Sequence, residues 1–576
     1  MRTHSPRTLV LALLISSALS CQSSGSGPDN VEAIPIPVPP AADTFPEADQ
    51  LRGSITPERA WWDLLHYDLR VEFIPETKTL LGSNTIQFVT LASGIVMQID
   101  LQEPLKITSV LFRDRELEVE RNGSVHLIRF PWTLGAGVRD QIKVSYEGIP
   151  VESKNPPWSG GISWKTDEKG APFIATTCQG IGASIWWPCK DHGYDEPNQG
   201  MDIHVSVPES LVAVANGRLM AKDFDPVHKL NMFHWRVTNP INNYAVNANI
   251  GNYVSMDTSY KGENGKLDIQ YWVLPHQVEA ATEQFKQAPR TIEAFEHWFG
   301  PYPFYEDSFK LVVVPYLGME HQSSVTYGNG FKNGYRGRDL SGTGEGLLFD
   351  YIIIHEAAHE WFGNNISHRD SADMWIHEAF ATYAENLYLE YHFSEEQAQN
   401  YVIGSWKKVR NNKPIIGPTG VNKTGSGDMY AKGAAMLHTL RHALNDTEKW
   451  REILRGLNEE FWHQTVSTAK FERYISQRAE YDFGPFFDQY LRTKEIPVLT
   501  YLPTKEGVAI WFGNVVQGFH MPILMTINGV ETRLDVGQDA IQVALESPFE
   551  SLELDRNFYL TSALYAPEES AEEATE

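Results

Sequence analysis

The chain is poor in cysteine, with three in 576 residues, which excludes a fold held together by disulfides. Positive charge is also in deficit: 48 Lys and Arg stand against 74 Asp and Glu, a net charge of −26. No basic stripe or RNA-binding motif interrupts that balance, so nucleic acid is excluded as a partner. Nowhere is there an apolar run long enough to cross a bilayer as a mature helix, and no internal repeat marks a solenoid. What remains is a globular composition, 42% hydrophobic, in a chain long enough to fill two to four domains.

The N-terminus reads as a targeting signal. Arg2 and Arg7 form a positive region, residues 9–19 an apolar core, and Cys21 follows Ala18-Leu19-Ser20. This resembles a bacterial lipoprotein signal with Leu19 shifted one place from the usual position. Acylation of Cys21 is the expectation, and ordinary secretion with cleavage nearby is the alternative. The Ser/Gly-rich then Pro-rich stretch 21–56 reads as an extended tether that buries no core. An anchored chain of this kind belongs in a bacterial cell envelope, attached to the membrane by its lipid. The remaining cysteines, Cys178 and Cys189, are expected as buried free thiols, with a disulfide between them as the alternative.

From 57 to 254 the pattern is mostly strand. Tyr67, Leu69, Val71 and Phe73 alternate with polar residues, as do Ile142, Val144 and Tyr146, and Asn122-Gly123 signals a two-residue hairpin. From 255 to 498 it turns helical after one buried strand at 311–314. Helices are expected over 278–299, kinked or broken at Pro289, and over 375–388, 431–444, 468–481 and 485–492. Alternation returns over 499–565 around Asn528-Gly529, and 566–576 is an acidic tail. The fold class is therefore multidomain α+β.

The chemistry gathers in residues 351–378. His355-Glu356-Ala357-Ala358-His359 is the H-E-x-x-H pattern, whose histidines share one helix face and can both point at one ion at about 2.0–2.1 Å. Glu356 projects from a neighbouring angle, suited to a base that touches the water at the metal. Such a pattern arises by chance roughly 0.05 times in a sequence of this length, so its company must carry the argument. That company is Glu378, nineteen positions beyond His359 on a second helical pattern. Two histidines and one carboxylate leave a fourth position open, as in catalytic rather than structural zinc sites.

HEAAHEWFGN, WIHEAFATY and YAKGAAML resemble, in order and spacing, the aminopeptidase N and leukotriene hydrolase family of gluzincin metallopeptidases, over nearly the whole chain after the signal. The resemblance implies an N-terminal antiparallel β-saddle domain, a thermolysin-like, mainly helical catalytic domain and a small C-terminal β-sandwich. It implies one zinc per chain held by His355, His359 and Glu378, with Glu356 as general base and Tyr430 donating to the tetrahedral oxyanion. Leu317-Gly318-Met319-Glu320-His321 resembles the G-x-M-E-N exopeptidase motif, with Leu317 and His321 as departures. Gly318, Met319 and Glu320 would then meet substrate, Glu320 holding its α-ammonium, and Gln179 would reach the same amine from the β domain. His192 is expected as a structural turn, and His368 and His377 have no metal role, His377 standing where the family has Asn.

The expected activity is zinc-dependent removal of N-terminal residues from peptides with a free amine. Three rivals are set against it. Epoxide hydrolysis, which one branch of the family adds, is disfavoured because the segment after 498 is β-rich where that branch carries a helical domain. Endopeptidase action is opposed by Glu320 closing the non-primed side. A binding lipoprotein without catalysis would have lost a ligand or the base, and none is lost.

Overall fold

In the computed structural model, residues 45–566 are described; the signal, Cys21 and most of the tether lie outside them, as does the acidic tail beyond 566. The strand Trp62–Ile74 is the spine of the N-terminal part. Its alternating Tyr67, Leu69, Val71 and Phe73 are buried, as the period-two pattern demands. It pairs antiparallel with Thr79–Thr90 and parallel with Met201–Pro208, within an eight-stranded sheet. Among the described residues the paired strands of the N-terminal part are otherwise antiparallel, apart from an isolated parallel bridge between Glu152 and Ile162, and a long crossover through two smaller sheets allows the parallel strand pair. The hairpin expected at Asn122-Gly123 forms one residue later. Asn122 pairs with Val125, so Gly123-Ser124 is the loop, and Gly123 takes the positive φ of 59°.

The second part is built on a five-stranded sheet in which Gly265–Val273, Phe309–Val313 and Val325–Tyr327 run parallel. Its edge strand, Gly318–Met319, borders the helices. Helices pack on this sheet. The span 278–299 divides into Val278–Gln284 and Gln287–Phe299, the break falling just ahead of Pro289. Pro289 thereby sits in the first turn of the second helix, where its missing N–H costs nothing. Helix Ala431–Leu444 has the expected bounds, while Glu395–Ser405 and Thr447–Glu460 are additional helices.

A four-stranded and a three-stranded sheet complete the C-terminal part, with Asn528-Gly529 turning between Met521–Ile527 and Val530–Val536 at φ of 48° and 78°. One continuous hydrophobic core runs from Trp61 to Phe558. Cys178 and Cys189 are buried free thiols, which burial pushes well above the usual thiol range. No helix among the described residues is long and apolar enough to cross a membrane.

One part of the expected tether is not extended. Glu47–Gly53 is a helix whose end is pressed onto the 421–424 loop. A Cβ on Gly53 would lie 2.0 Å from the Val421 carbonyl carbon, Asp49 O accepts from Asn422 N at 3.0 Å, and Asp49 pairs with Lys423 at 2.9 Å. The alternation of Glu, Asp and Gln in this stretch conceals its helicity, because its partner surface comes from more than 350 positions away.

Candidate metal centre

Helix Tyr351–Ala358 starts on Asp350, whose carboxylate accepts from Ile352 N and Ile353 N, and every residue from Ile352 to Ala358 is buried. The helix ends one residue before His359, which keeps helical dihedrals (φ −64°, ψ −17°) and so remains on the face of His355. Beyond it, i to i+3 bonds from Glu360 and Trp361 tighten the chain into Gly363, whose φ of 141° turns it away. Helix Trp375–His392 crosses alongside and carries Glu378 in its first turn.

These elements bring three ligand atoms together. His355 Nε2 and His359 Nε2 each lie 3.6 Å from Glu378 Oε2, close to the separation of about 3.3–3.4 Å between donors of a tetrahedral zinc at about 2.0–2.1 Å. Both histidines are oriented from behind. His355 Nδ1 donates to Glu385 Oε1 at 2.8 Å and His359 Nδ1 to Phe362 O at 3.0 Å, which turns both Nε2 lone pairs toward the carboxylate. Glu378 Oε2 is itself buried and receives no hydrogen bond, an orphan that a cation would satisfy. Against the upward push of burial, the charges of His359 and His355 hold the Glu378 carboxyl low. The donor set fits zinc.

Around this centre the other expected residues take distinct places. Glu356 projects into the cavity of ≈ 120 Å³ that the three donors share with Tyr430 and Glu320. Burial drives its carboxyl well above the usual range, which His355 opposes and Glu320 reinforces; a bound dication would pull it back. Tyr430, at the start of helix Ala431–Leu444, is kept a neutral phenol by burial and by Glu378. Glu320 offers a carboxylate oxygen within 4.8 Å of donor atoms of Glu356 and His359, and burial with Glu378 pushes it up to about 7. Its backbone oxygen accepts from Asn364 Nδ2 at 2.9 Å. Gly318 lies so close to the metal helix that a Cβ would meet Ile352 Cγ2 at 2.5 Å. Met319 is buried, its sulfur accepting from Thr177 Oγ1 at 3.1 Å.

Gln179, in the turn after strand Pro172–Thr177, lines this cavity and a second one of ≈ 310 Å³. Glu320 also lines both. His321, the departure at the end of the motif, turns its side chain inward to Thr326 Oγ1 at 3.3 Å and borders neither cavity, and burial lowers it to about 3. His192 Nε2 donates to Gly53 O at 3.0 Å, tying the turn to the first helix. His377 Nε2 accepts from His368 N at 2.9 Å, and neither histidine joins the metal donors.

Two residues escaped the reading of the sequence. Glu385, which orients His355, lies seven positions beyond Glu378, two helical turns on the same face, and that spacing is a usable signal. Tyr244, from the β-rich part, lies over Glu320 and lines the larger cavity, and no pattern in its own neighbourhood announces it.

The comparisons with known proteins identify the family of the chain. The description "Peptidase M1 N-terminal domain" matches residues 64–245, and "Peptidase family M1 domain" matches 283–490. Aminopeptidase B of Mus musculus is 24% identical over 501 residues, 76% of this chain and 70% of that protein. Leukotriene A-4 hydrolase of Xenopus laevis is 22% identical over 359 residues, 57% of this chain and 54% of that protein. The fold is shared with an M1 zinc metallopeptidase from Deinococcus radiodurans, at TM-score 0.62 and 21% identity over 73% of this chain and 91% of that one. A mutant form of an M1 zinc metallopeptidase from the same organism, bound to a Tyr-Ser-Ala substrate, overlaps at TM-score 0.64 and 20% identity, over 77% and 98%. With a donor set that fits zinc and both domain descriptions matched in order, the chain belongs to peptidase family M1, the gluzincin zinc aminopeptidases.

Proposed function

We propose that the protein removes the N-terminal residue from peptides that carry a free α-amine. The observation that carries this is the position of Glu320: a carboxylate 3% exposed, beside the metal donors, on the boundary between the two cavities. An α-ammonium held there by Glu320 and Gln179 leaves the first carbonyl to face His355, His359 and Glu378, and the first side chain to enter the larger cavity. Only the first peptide bond then reaches the centre.

Zinc, when bound, supplies a Lewis acid that lowers the pKa of water and polarises a carbonyl. Glu356 takes the proton of the attacking water and returns it to the leaving amine. Tyr430, a neutral phenol, donates a hydrogen bond to the oxygen that gains charge. A panel of fluorogenic aminoacyl amides, free and N-acetylated, with and without chelator, tests the reading. Free-amine substrates should be cut, acetylated ones spared, and chelator should abolish activity. Internal cleavage of acetylated peptides would replace this reading with an endopeptidase.

The proposal extends to location. Acylation at Cys21 would anchor the enzyme in a bacterial envelope, a reading supported by the signal pattern in residues outside the described structure. Cys21→Ala should then move the protein from the membrane fraction to the soluble one, and retention in the membrane would refute the anchor.

A further inference from the structure

The larger cavity, of ≈ 310 Å³, shares Glu320 and Gln179 with the metal cavity and is otherwise lined by residues that the metal cavity lacks. Two of these, Arg52 and Gly53, end the helix Glu47–Gly53. Lys423 and Thr424, from the loop that receives this helix, line the same cavity. The stretch whose composition reads as a linker thus supplies a wall of the cavity beside the amine site.

That wall is held in place. Arg59 is fully buried and pairs with Asp100 at 2.7 Å, and its Nη1 donates to the carbonyls of Leu51, Arg52 and Ser54 at 2.9, 3.1 and 2.8 Å. The first two belong to the last helical turn, whose carbonyls have no partner inside a helix. The Arg52 guanidinium donates to Ile181 O and stands 3.6 Å from Asp191 Oδ2, both on the β-rich part, and its side chain is 15% exposed. With its head fixed there, the aliphatic stem of Arg52 spans from the helix to the β-rich part, and arginine stems of this kind serve as apolar cover. At Gly53 the helix end sits at its closest approach to the loop, since a Cβ would meet the Val421 backbone at 2.0 Å.

We infer that helix Glu47–Gly53 is a specificity element of the enzyme, Arg52 and Gly53 forming the wall that a long first side chain packs against and a short one does not reach. The inference rests on the aminopeptidase reading above, which sends the first side chain into this cavity. Arg52 and Gly53 border it without bordering the metal cavity, so they meet substrate only through a side chain that enters it. Fluorogenic amides of Ala and Met test this with wild type, Arg52→Ala, Arg52→Met and Gly53→Ala, read as the Met-to-Ala ratio of kcat/KM. Arg52→Ala should lower that ratio about 10-fold, chiefly through the KM of the Met amide. Arg52→Met keeps an unbranched stem without the charge and should hold the ratio within about twofold of wild type. Gly53→Ala should lower it as well, because the added methyl drives the helix end off Val421.

An Arg52→Ala enzyme with the wild-type ratio would overturn the inference, since a merely structural role slows both amides alike. So would a ratio as low in Arg52→Met as in Arg52→Ala, which would assign the effect to charge. If Gly53→Ala does not fold, the two Arg52 variants decide; if it folds with an unchanged ratio, the helix is no wall and the inference fails. In each of these cases wild type still cuts both amides and the aminopeptidase reading stands. Failure of wild type to cut either amide would overturn that reading, and this inference with it.

Discussion

Glu356 and its neighbours show how one position in a helix separates a ligand from a base. His355 and His359 face Glu378 Oε2 at equal distances, whereas Glu356 groups with Glu320 around His359. Glu356→Gln keeps the size of the side chain and removes its basicity, so zinc should stay bound, as read by elemental analysis. Hydrolysis should fall by about 10²–10⁴, the range for a lost general base. Loss of zinc in this variant, or full activity, would contradict the assignment. At this scale the sequence was highly legible, because H-E-x-x-H spacing maps directly onto helix geometry. It was least legible at His321, a departure from the motif whose ring a hydrogen bond to Thr326 turns inward.

Between elements, the metal site depends on how helix Trp375–His392 lies against Tyr351–Ala358. Glu378 and Glu385 occupy one face of the former, the first meeting both histidines and the second holding His355 Nδ1. Tyr401, from helix Glu395–Ser405, donates in turn to Glu385. Glu385→Ala should therefore weaken zinc binding about 10–100-fold in competition with a chelator, though it removes no ligand. Unchanged affinity would show that the orientation of His355 is set by packing alone. Element types were legible wherever local chemistry dictates them, as at Asn528-Gly529 and Pro289. They were illegible where a distant partner decides: helix Glu47–Gly53 exists because the 421–424 loop and Asp191 receive it, and its own composition reads as linker.

The whole molecule buries titratable groups outside the metal donor set, and two of them bear on its response to acid. His126 is lowered to about 4 by burial and Arg121, and His192 to about 3 by burial and Arg59. Both folded values lie below the ordinary 6.5, so the unfolded chain takes up these protons first as pH falls. Their stability is present above about pH 6.5 and is lost progressively toward about pH 4 for His126 and about pH 3 for His192. The urea midpoint should drop between about pH 7 and about pH 5, and His126→Gln should show a smaller drop. An equal drop in both proteins would remove His126 from the account.

Function, too, belongs to the whole molecule, because the amine site is assembled across it: Glu320 comes from the edge of the five-stranded sheet, and Gln179 and Tyr244 from the β-rich part. The most direct measurement pairs Glu320→Ala with acetylation of the substrate amine, comparing kcat/KM in all four combinations. Each change alone should cost about 3–5 kcal/mol, since either leaves one buried charge without its partner. Applied together they should cost little more than one, because both delete the same interaction. Losses that add fully, or acetylated peptides cut as readily as free ones, would show that Glu320 does not hold the N-terminus.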